Sequence, residues 1–233
     1  MLPINNVSLL LLIGNMLFGS EMKDRELTEK RILEAVGKII ENEGFEGIGV
    51  NAIAQRAGIS KMLIYRYFGG INELITQYLI QKDYWSNTDV DIINPSDIAG
   101  SLKRLFREQI IQLRSDITLK RLHRWELFTE NENIRRLRER REHNGCNLVK
   151  IISQLTGVQN TEVASLASII SASISYLVLM EEQNPIYNGI DLQSSKGWEQ
   201  VEKGIDLIID LWMKTLNNEK YICNIYHIRR DNE

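Results

Sequence analysis

The stretch AIAQRAGISKMLIYRYF, residues 52–68, has the spacing of a helix-turn-helix. Two helices that cross closely need a small residue on the first of them, and Ala54 meets that need. Four residues later, Gly58 can adopt the positive φ that a tight turn requires. Ile59 is an apolar residue that can seal the turn, and Ile64 returns an apolar side chain to the first helix. The sequence therefore predicts two short helices joined at Gly58.

Helical patterns on both sides support this motif. Thr28 is predicted to cap a first helix that ends near Gly44. Its apolar residues recur with the period of one buried face, at Ile32, Ala35, Val36, Ile39 and Ile40. The first helix of the motif is predicted over residues 50–57. The second is predicted to begin after its N-cap, Ser60, and to end near Phe68. A fourth helix is predicted over residues 71–84.

The same stretch lacks carboxylates, although the chain as a whole is acidic. The formal net charge is −3, so any contact with nucleic acid must use a local patch. No Asp or Glu occurs between Glu46 and Glu73. Phosphates repel carboxylates, whereas Arg and Lys release counterions when they bind. The side chains left to face phosphates are Arg56, Lys61, Tyr65, Arg66 and Tyr67. The alternative is a compact helix pair with an uncharged interface and no such role.

The remainder of the chain also has a helical pattern. Asn94–Pro95 marks a boundary, and Ser96 is predicted to cap the next helix. Long helices are predicted over residues 132–155, 161–182 and 197–216. The sequence shows no strand-period alternation of any length. The predicted fold class is therefore all-α, with an N-terminal three-helix helix-turn-helix domain and a larger helical domain after it.

Residues 1–22 form an apolar leader for which three interpretations stay open. Its segment VSLLLLIGNMLF, residues 7–18, is about half as long as a membrane span. No Lys or Arg precedes it, as one would in a signal peptide. The leader is a flexible or packed arm, a targeting segment, or the product of a mis-set start, with translation beginning at Met22.

The two cysteines, Cys146 and Cys223, are far apart and form no CxxC motif. This spacing argues against a disulfide framework or a zinc finger and fits a reducing cytoplasm. Cys146 is predicted to be a small core residue. His143 and Glu142 lie near it, but two or three loose ligands rarely make a metal site, so we expect neither metal nor cofactor.

The segment RILEAVGKIIENEGFEGIGVNAIAQRAGISKMLIYRYFGGINEL, residues 31–74, resembles the DNA-binding domain of the tetracycline-repressor (TetR) family of bacterial regulators. The resemblance covers about residues 25–86 and predicts a DNA-binding domain over residues 23–86, followed by an effector-binding and dimerisation domain over residues 87–233. It implies a homodimer whose recognition helices enter the major groove of double-stranded DNA. It also implies that the C-terminal domain binds a small-molecule effector.

The resemblance assigns roles by position within the motif. Lys61, Met62 and Leu63 would face base edges or the adjacent backbone. The remaining contacts with DNA would come from Asn51, Gln55, Ser60, Tyr65, Arg66 and Tyr67. The chain departs from the family pattern at Gly49, at the pair Met62–Leu63 and at Ile71, which removes polar or phosphate contacts. Apolar Met62 and Leu63 suggest contact with thymine methyl groups.

In the C-terminal half, two helices resemble the pair that forms the family's four-helix dimer interface. The first has small residues that would let another helix approach: Ala164, Ser168, Ser171, Ala172 and Ser175. The second has the apolar residues Val201, Ile205, Ile208, Trp212 and Met213. The alternative is a purely intramolecular pair. Candidate effector contacts, which are also candidate core residues, are Phe106, Ile110, Leu122, Trp125, Phe128 and Tyr176.

Two further segments of this half have simpler interpretations. RRLRERREH, residues 135–143, is predicted to be a solvated helix face with the pairs Arg135–Glu139 and Arg138–Glu142. Residues 166–180 are too short and too rich in Ser for a membrane helix.

These observations predict a cytoplasmic, dimeric transcriptional regulator. The resemblance implies a repressor that an effector releases from a palindromic operator. An enzyme is not expected, because the sequence has no nucleophile–base set, paired buried carboxylates or phosphate loop. Two rival functions stay open: a DNA-bound structural or protein-interaction factor without an effector, and a regulator tethered to a membrane by residues 7–18.

Overall fold

The computed structural model describes residues 6–230 and the side chains of residues 22–216. The chain folds almost entirely into helices, which confirms the all-α prediction. It divides into two compact units, Met1–Tyr78 and Leu79–Glu233. The predicted domain boundary after residue 86 stays a prediction, because compactness alone does not show which segment folds independently. The interpretations of residues 1–22 depend on the side chains of residues 1–21, which lie outside the described residues, as does the side chain of Cys223.

Four helices and one 3-10 turn build the N-terminal unit from residue 6 onward. They are α1 (Asn6–Glu43), the turn Phe45–Gly47, α2 (Val50–Ala57), α3 (Lys61–Phe68) and α4 (Ile71–Lys82), which continues past Tyr78. The predicted apolar face of α1 is buried, with Ile32, Val36 and Ile40 wholly enclosed. The predicted cap at Thr28 is wrong: α1 already runs through this position, and the Thr28 hydroxyl donates to the carbonyl of Asp24 one turn earlier.

Six helices and a short hairpin build the described part of the C-terminal unit. They are α5 (Tyr84–Asn87), α6 (Ile98–Ser115), α7 (Ile117–Trp125), α8 (Glu132–Thr156), α9 (Asn160–Met180), β1 (Ile186–Tyr187), β2 (Ile190–Asp191) and α10 (Ser195–Arg230). A 3-10 turn, Val90–Ile92, precedes α6. The hairpin pairs Ile186 with Asp191 between the predicted helices over residues 161–182 and 197–216.

Two helix ends differ from the prediction because a neighbouring carboxylate is the better cap. Asp97, not Ser96, caps α6 by accepting from the Gly100 amide at 2.9 Å. The helix predicted to reach residue 84 ends at Lys82, because Asp83 caps α5 by accepting from the Ser86 amide at 2.8 Å. Asp83 is thereby held in the core with 1% of its surface exposed.

The helix α6 is the centre of the C-terminal unit. It packs against both α9 and α10 and buries a stripe of apolar residues: Leu102, Leu105, Phe106, Ile110 and Leu113. On its other side, the Arg107 guanidinium donates to Glu202 at 2.9 Å and to Asp206 at 3.2 Å on α10. Apolar burial and ion pairs therefore join segments about a hundred residues apart.

The helix α9 buries little of its apolar surface. Among the residues whose side chains are described, it is the one helix long and apolar enough to cross a membrane, and 22% of its most apolar window is buried. With 21 residues it exceeds the segment 166–180, so the length argument against a membrane helix does not hold. Its exposed apolar residues include Ile169 and Tyr176, and those of α10 include Leu207, Ile208 and Leu211.

Candidate functional site

The helix-turn-helix forms through short-range contacts between α2 and α3. Gly58 ends α2 in the left-handed conformation, with φ of 64°. The Ile59 amide then bonds the Ala54 carbonyl at 3.0 Å, and Ser60 caps α3 by accepting from the Met62 amide. Ala54 and Ile64 are buried between the helices. The predicted packing of the motif is therefore present.

The proposed DNA contacts lie outside the core of the N-terminal unit. Leu63 and Tyr67 are half-buried and the others are exposed: Asn51, Gln55, Ser60, Lys61, Met62, Tyr65 and Arg66. Met62 is 68% exposed in the first turn of α3, although nothing in its packing explains an apolar side chain there. Exposure makes these residues available for contact, and their individual roles stay predictions.

Two arginines of α1 support the motif, and neither was predicted from the sequence. The Arg31 guanidinium donates to the Ala57 carbonyl at 2.6 Å and to the Gly58 carbonyl at 3.4 Å. It thereby satisfies carbonyl groups at the end of α2, where the helix provides no partners. The Arg25 guanidinium lies 5.3 Å from the ring centre of Tyr67. Because Arg31 acts on residues 26 positions away, no local sequence signal marks it.

In the folded protein, the stretch without Asp or Glu lies beside a carboxylate from another part of the N-terminal unit. Arg56, at the end of α2, donates to the Glu43 carboxylate at 3.3 Å, and both side chains are substantially exposed. Arg66 instead lies 6.0 Å from the ring centre of Tyr67. An exposed ion pair contributes little, so Arg56 can exchange Glu43 for another anion. We infer that Lys61 and Arg66 on α3 carry the cationic character of the motif.

A cavity of about 730 Å³ lies among α5, α6, α8 and α9 of the C-terminal unit. Of the six candidate effector contacts, Phe106 lines it and the other five do not. Ile110 and Leu122 are buried elsewhere in the core, and Trp125 is half-buried. Phe128 is 90% exposed and Tyr176 is 50% exposed. Their role in effector binding stays a prediction.

The small residues of α9 contribute to the wall of this cavity. Four of the five that were predicted to let another helix approach line this cavity, and their place in a dimer interface stays a prediction: Ala164, Ser168, Ser171 and Ala172. Gly145 and Cys146 line it from α8. The prediction that Cys146 is a core residue is wrong, because its side chain is exposed. Small side chains on both helices leave the space open.

A buried ion cluster forms one edge of the cavity. The Arg141 guanidinium lines it and donates to Asp83 Oδ1 at 2.6 and 2.8 Å and to the Glu126 carboxylate at 2.8 and 2.9 Å. His123 Nδ1 lies 3.3 Å from Glu126 Oε1. Burial raises the pKa of Glu126, but the His123 hydrogen bond and the Arg141 charge more than offset it, so the pKa lies below its usual value.

The basic segment 135–143 is an ion-paired helix face, but its partners differ from the predicted ones. Arg135 and Arg136 pair with Glu132, and Arg138 pairs with Glu130. Among residues 22–216, no three His, Cys, Asp or Glu side chains group closely enough to hold a metal ion.

Comparison with known proteins identifies the helix-turn-helix region. Residues 32–78 match the family model described as "Bacterial regulatory proteins, tetR family". An HTH-type transcriptional repressor of Streptomyces coelicolor is 36% identical over 85 residues, which are 36% of this chain and 43% of that protein. An HTH-type transcriptional regulator of Staphylococcus aureus (strain USA300) is 38% identical over 61 residues, 26% of this chain and 32% of that protein. The chain thus spans less than half the length of these relatives.

Solved structures extend the likeness at the level of fold. A TetR family transcription regulator from Marinobacter aquaeolei VT8 has a TM-score of 0.57 at 20% identity, covering 82% of this chain and 97% of that one. NalD, the secondary repressor of the MexAB-OprM multidrug efflux pump in Pseudomonas aeruginosa, has a TM-score of 0.56 at 19% identity, covering 78% and 97%. The helix-turn-helix region, residues 32–78, thus matches the tetR family of bacterial regulatory proteins, and most of the chain shares the fold of a solved TetR family regulator.

Proposed function

We propose that this protein is a cytoplasmic transcriptional regulator, acting as a repressor, that binds a near-palindromic DNA operator as a homodimer. The observation that carries the proposal is α3, a Ser60-capped helix that presents Lys61, Tyr65 and Arg66 to solvent and contains no acid. A helix with these properties fits the major groove, and cationic side chains favour the phosphate backbone. Two such helices in successive grooves would lie roughly 34–36 Å apart.

A gel shift with footprinting on the DNA flanking the protein's own gene tests operator binding. We expect a protected near-palindrome whose affinity falls with rising salt and with Arg66→Ala. Arg140→Ala, which removes an exposed arginine of α8, is the matched control and should bind as wild type. A random-site selection on the same protein supplies the operator if the flanking DNA contains none. Failure of both to yield a specific, salt-sensitive complex would contradict the proposal.

The exposed apolar residues of α9 and α10 support the dimeric state. Ile169 and Leu211, 67% and 52% exposed, are too apolar for a solvated helix face. A second copy that places the same two helices against them would form a four-helix interface. Sedimentation should show a dimer for wild type and a monomer for Ile169→Glu. A wild-type monomer, or a chain that requires detergent to stay in solution, would contradict this arrangement.

The cavity of the C-terminal unit supports regulation by a small-molecule effector. Its volume of about 730 Å³ lies within the range of drug-sized ligand pockets. An effector can release the operator only if it binds the DNA-free state more tightly than the DNA-bound state. The proposal predicts that effector and operator weaken each other's binding by the same factor, which titrations in both directions measure.

A further inference from the structure

We propose that the cavity between α8 and α9 binds an uncharged, largely apolar molecule whose body packs across the α8 backbone at Gly145. The proposal rests on the proposed function only in naming the chemistry of its effector. It has two independent supports: the state of the charged side chains around the cavity, and a glycine that neither backbone nor packing requires.

Every charged side chain that lines the cavity is paired within the protein or exposed to solvent. Arg141 is shared between Asp83 and Glu126, as described above. Arg138 donates to the Glu130 carboxylate and to the Glu126 carbonyl. Glu142 accepts from the Cys146 thiol at 3.3 Å, and its side chain is exposed, as is that of Lys150.

A charged ligand would therefore lose its hydration and gain at most a solvent-exposed partner, Glu142 or Lys150, and exposed ion pairs contribute little. Removing an ion from water is costly unless a counter-charge and hydrogen bonds replace the water. The rest of the wall is mainly apolar: Leu105 and Phe106 from α6, Ile152 from α8 and Trp85 from α5. The Trp85 and Phe106 rings meet edge to face with centres 6.3 Å apart. An uncharged, apolar ligand therefore has the lowest desolvation cost on binding here.

Gly145 supports the same conclusion from the geometry of the backbone. It lies in the middle of α8, and its φ is not positive. A Cβ built at this position meets nothing within 4 Å. Glycine destabilises a helix interior relative to alanine, so this position weakens α8 without a structural reason. The space is explained if a ligand approaches the helix backbone there.

Three pyrene derivatives that share one apolar body and differ in charge test the ligand class. They are 1-pyrenemethanol, 1-pyrenecarboxylate and 1-pyrenemethylammonium, titrated at pH 7 against the full chain by fluorescence. We expect the alcohol to bind at least tenfold more tightly than either ion, with an emission spectrum typical of an apolar environment. Equal or tighter binding of an ion, or no binding of the alcohol, overturns the proposal.

Substitutions on α8 locate the probe. Gly145→Leu should weaken binding of the alcohol at least tenfold, because the new side chain occupies the space beside the backbone. Glu139→Leu is the matched control: it adds the same side chain to an exposed position of α8 outside the cavity and should bind as wild type. Gly145→Ala should raise Tm. Equal binding by the two leucine variants, or a lower Tm for Gly145→Ala, contradicts the role assigned to Gly145.

Operator binding measured on the same samples separates this proposal from the proposed function. If the chain binds an operator but the alcohol does not bind, the ligand proposal fails and the regulatory function stands. If the alcohol binds as expected and both DNA tests fail, the regulatory function fails and the ligand site stands. Where both hold, the alcohol should weaken operator binding in wild type and have at least tenfold less potency in Gly145→Leu.

Discussion

The helix-turn-helix and the cavity of the C-terminal unit differ in the sequence range of the contacts that build them. In the motif, the Ser60 cap and the Ile59–Ala54 bond join residues two and five positions apart. At the cavity, Arg141 reaches Asp83 from 58 positions away and Glu126 from 15. A motif built from neighbours can be identified in a sequence, whereas a cavity exists only after distant helices have packed. Substitutions in the two regions should therefore differ in their effects on unfolding free energy, operator binding and pH dependence.

The largest effect is expected from Arg141→Ala, which breaks the long-range cluster. Asp83 and Glu126, 1% and 11% exposed as side chains, would lose their counter-charge while buried. Removing one partner of a buried ion pair costs about 4 kcal/mol of unfolding free energy, which denaturant titration measures. Arg140→Ala, on the exposed neighbour, should change it by less than about 0.5 kcal/mol. Similar values for the two variants would show that the cluster contributes no stability.

Ile64→Ala tests the short-range packing of the motif. Ile64 is wholly buried, and its truncation should lower the free energy of unfolding by about 3 kcal/mol. Met62→Ala, on the exposed face of the same helix, should leave stability within about 0.5 kcal/mol of wild type while weakening operator binding. Loss of stability in Met62→Ala, or unchanged operator binding, would argue that Met62 packs against the protein instead.

The Glu126 carboxylate gives the cavity region a pH dependence. Its pKa lies below the ordinary value of 4.5, so folding favours the ionised form. The resulting stabilisation is complete well above pH 4.5 and is lost as the pH falls through the lower pKa of the folded state. Denaturant titrations at pH 7 and pH 4 should show a smaller pH-dependent loss for Glu126→Gln than for wild type. Equal losses would mean that other carboxylates cause the acid sensitivity.

Arg31→Ala should cause the smallest loss of unfolding free energy among these substitutions. It refines the comparison of short-range with long-range contacts, because Arg31 is a long-range contact within the motif. Removing its hydrogen bonds to the end of α2 should cost about 1 kcal/mol, given the exposure of the guanidinium. Hydrogen exchange should increase at the amides around Gly58. Lys30→Ala, on the preceding exposed residue, should change neither quantity. No change in Arg31→Ala would show that the turn is held by local contacts alone.

Prediction from sequence succeeded where one residue type answers a local physical need. Three residues illustrate this: Gly58 adopts the left-handed turn, Ser60 caps α3, and Ile32 lies on the buried face of α1. It failed where two candidates compete or a helix face is misjudged. Asp97 replaced Ser96 as a cap, and Cys146 lies on α8 away from the buried face that includes Leu148 and Ile152.

The candidate ligand residues show the same limit. Phe128 and Tyr176 are two of the six candidate effector contacts, yet both are exposed, and Phe106 alone of the six lines the cavity. A cavity forms where side chains are missing, so its markers are small residues such as Gly145 and Ala164. Such residues carry no distinctive signal in a sequence, because they serve equally in close helix packing.

By itself, the sequence determined the helical class, the position of the helix-turn-helix and the turn and cap that join its two helices. Helix periodicity, capping and turn conformation depend on interactions between residues a few positions apart. Short segments of the sequence are therefore enough to predict them. The tertiary structure decided the buried partners of Arg141, the support of the turn by Arg31 and the cavity beside Gly145. Each depends on which helices meet in space, and the free energy that selects that packing is shared among residues far apart in the chain.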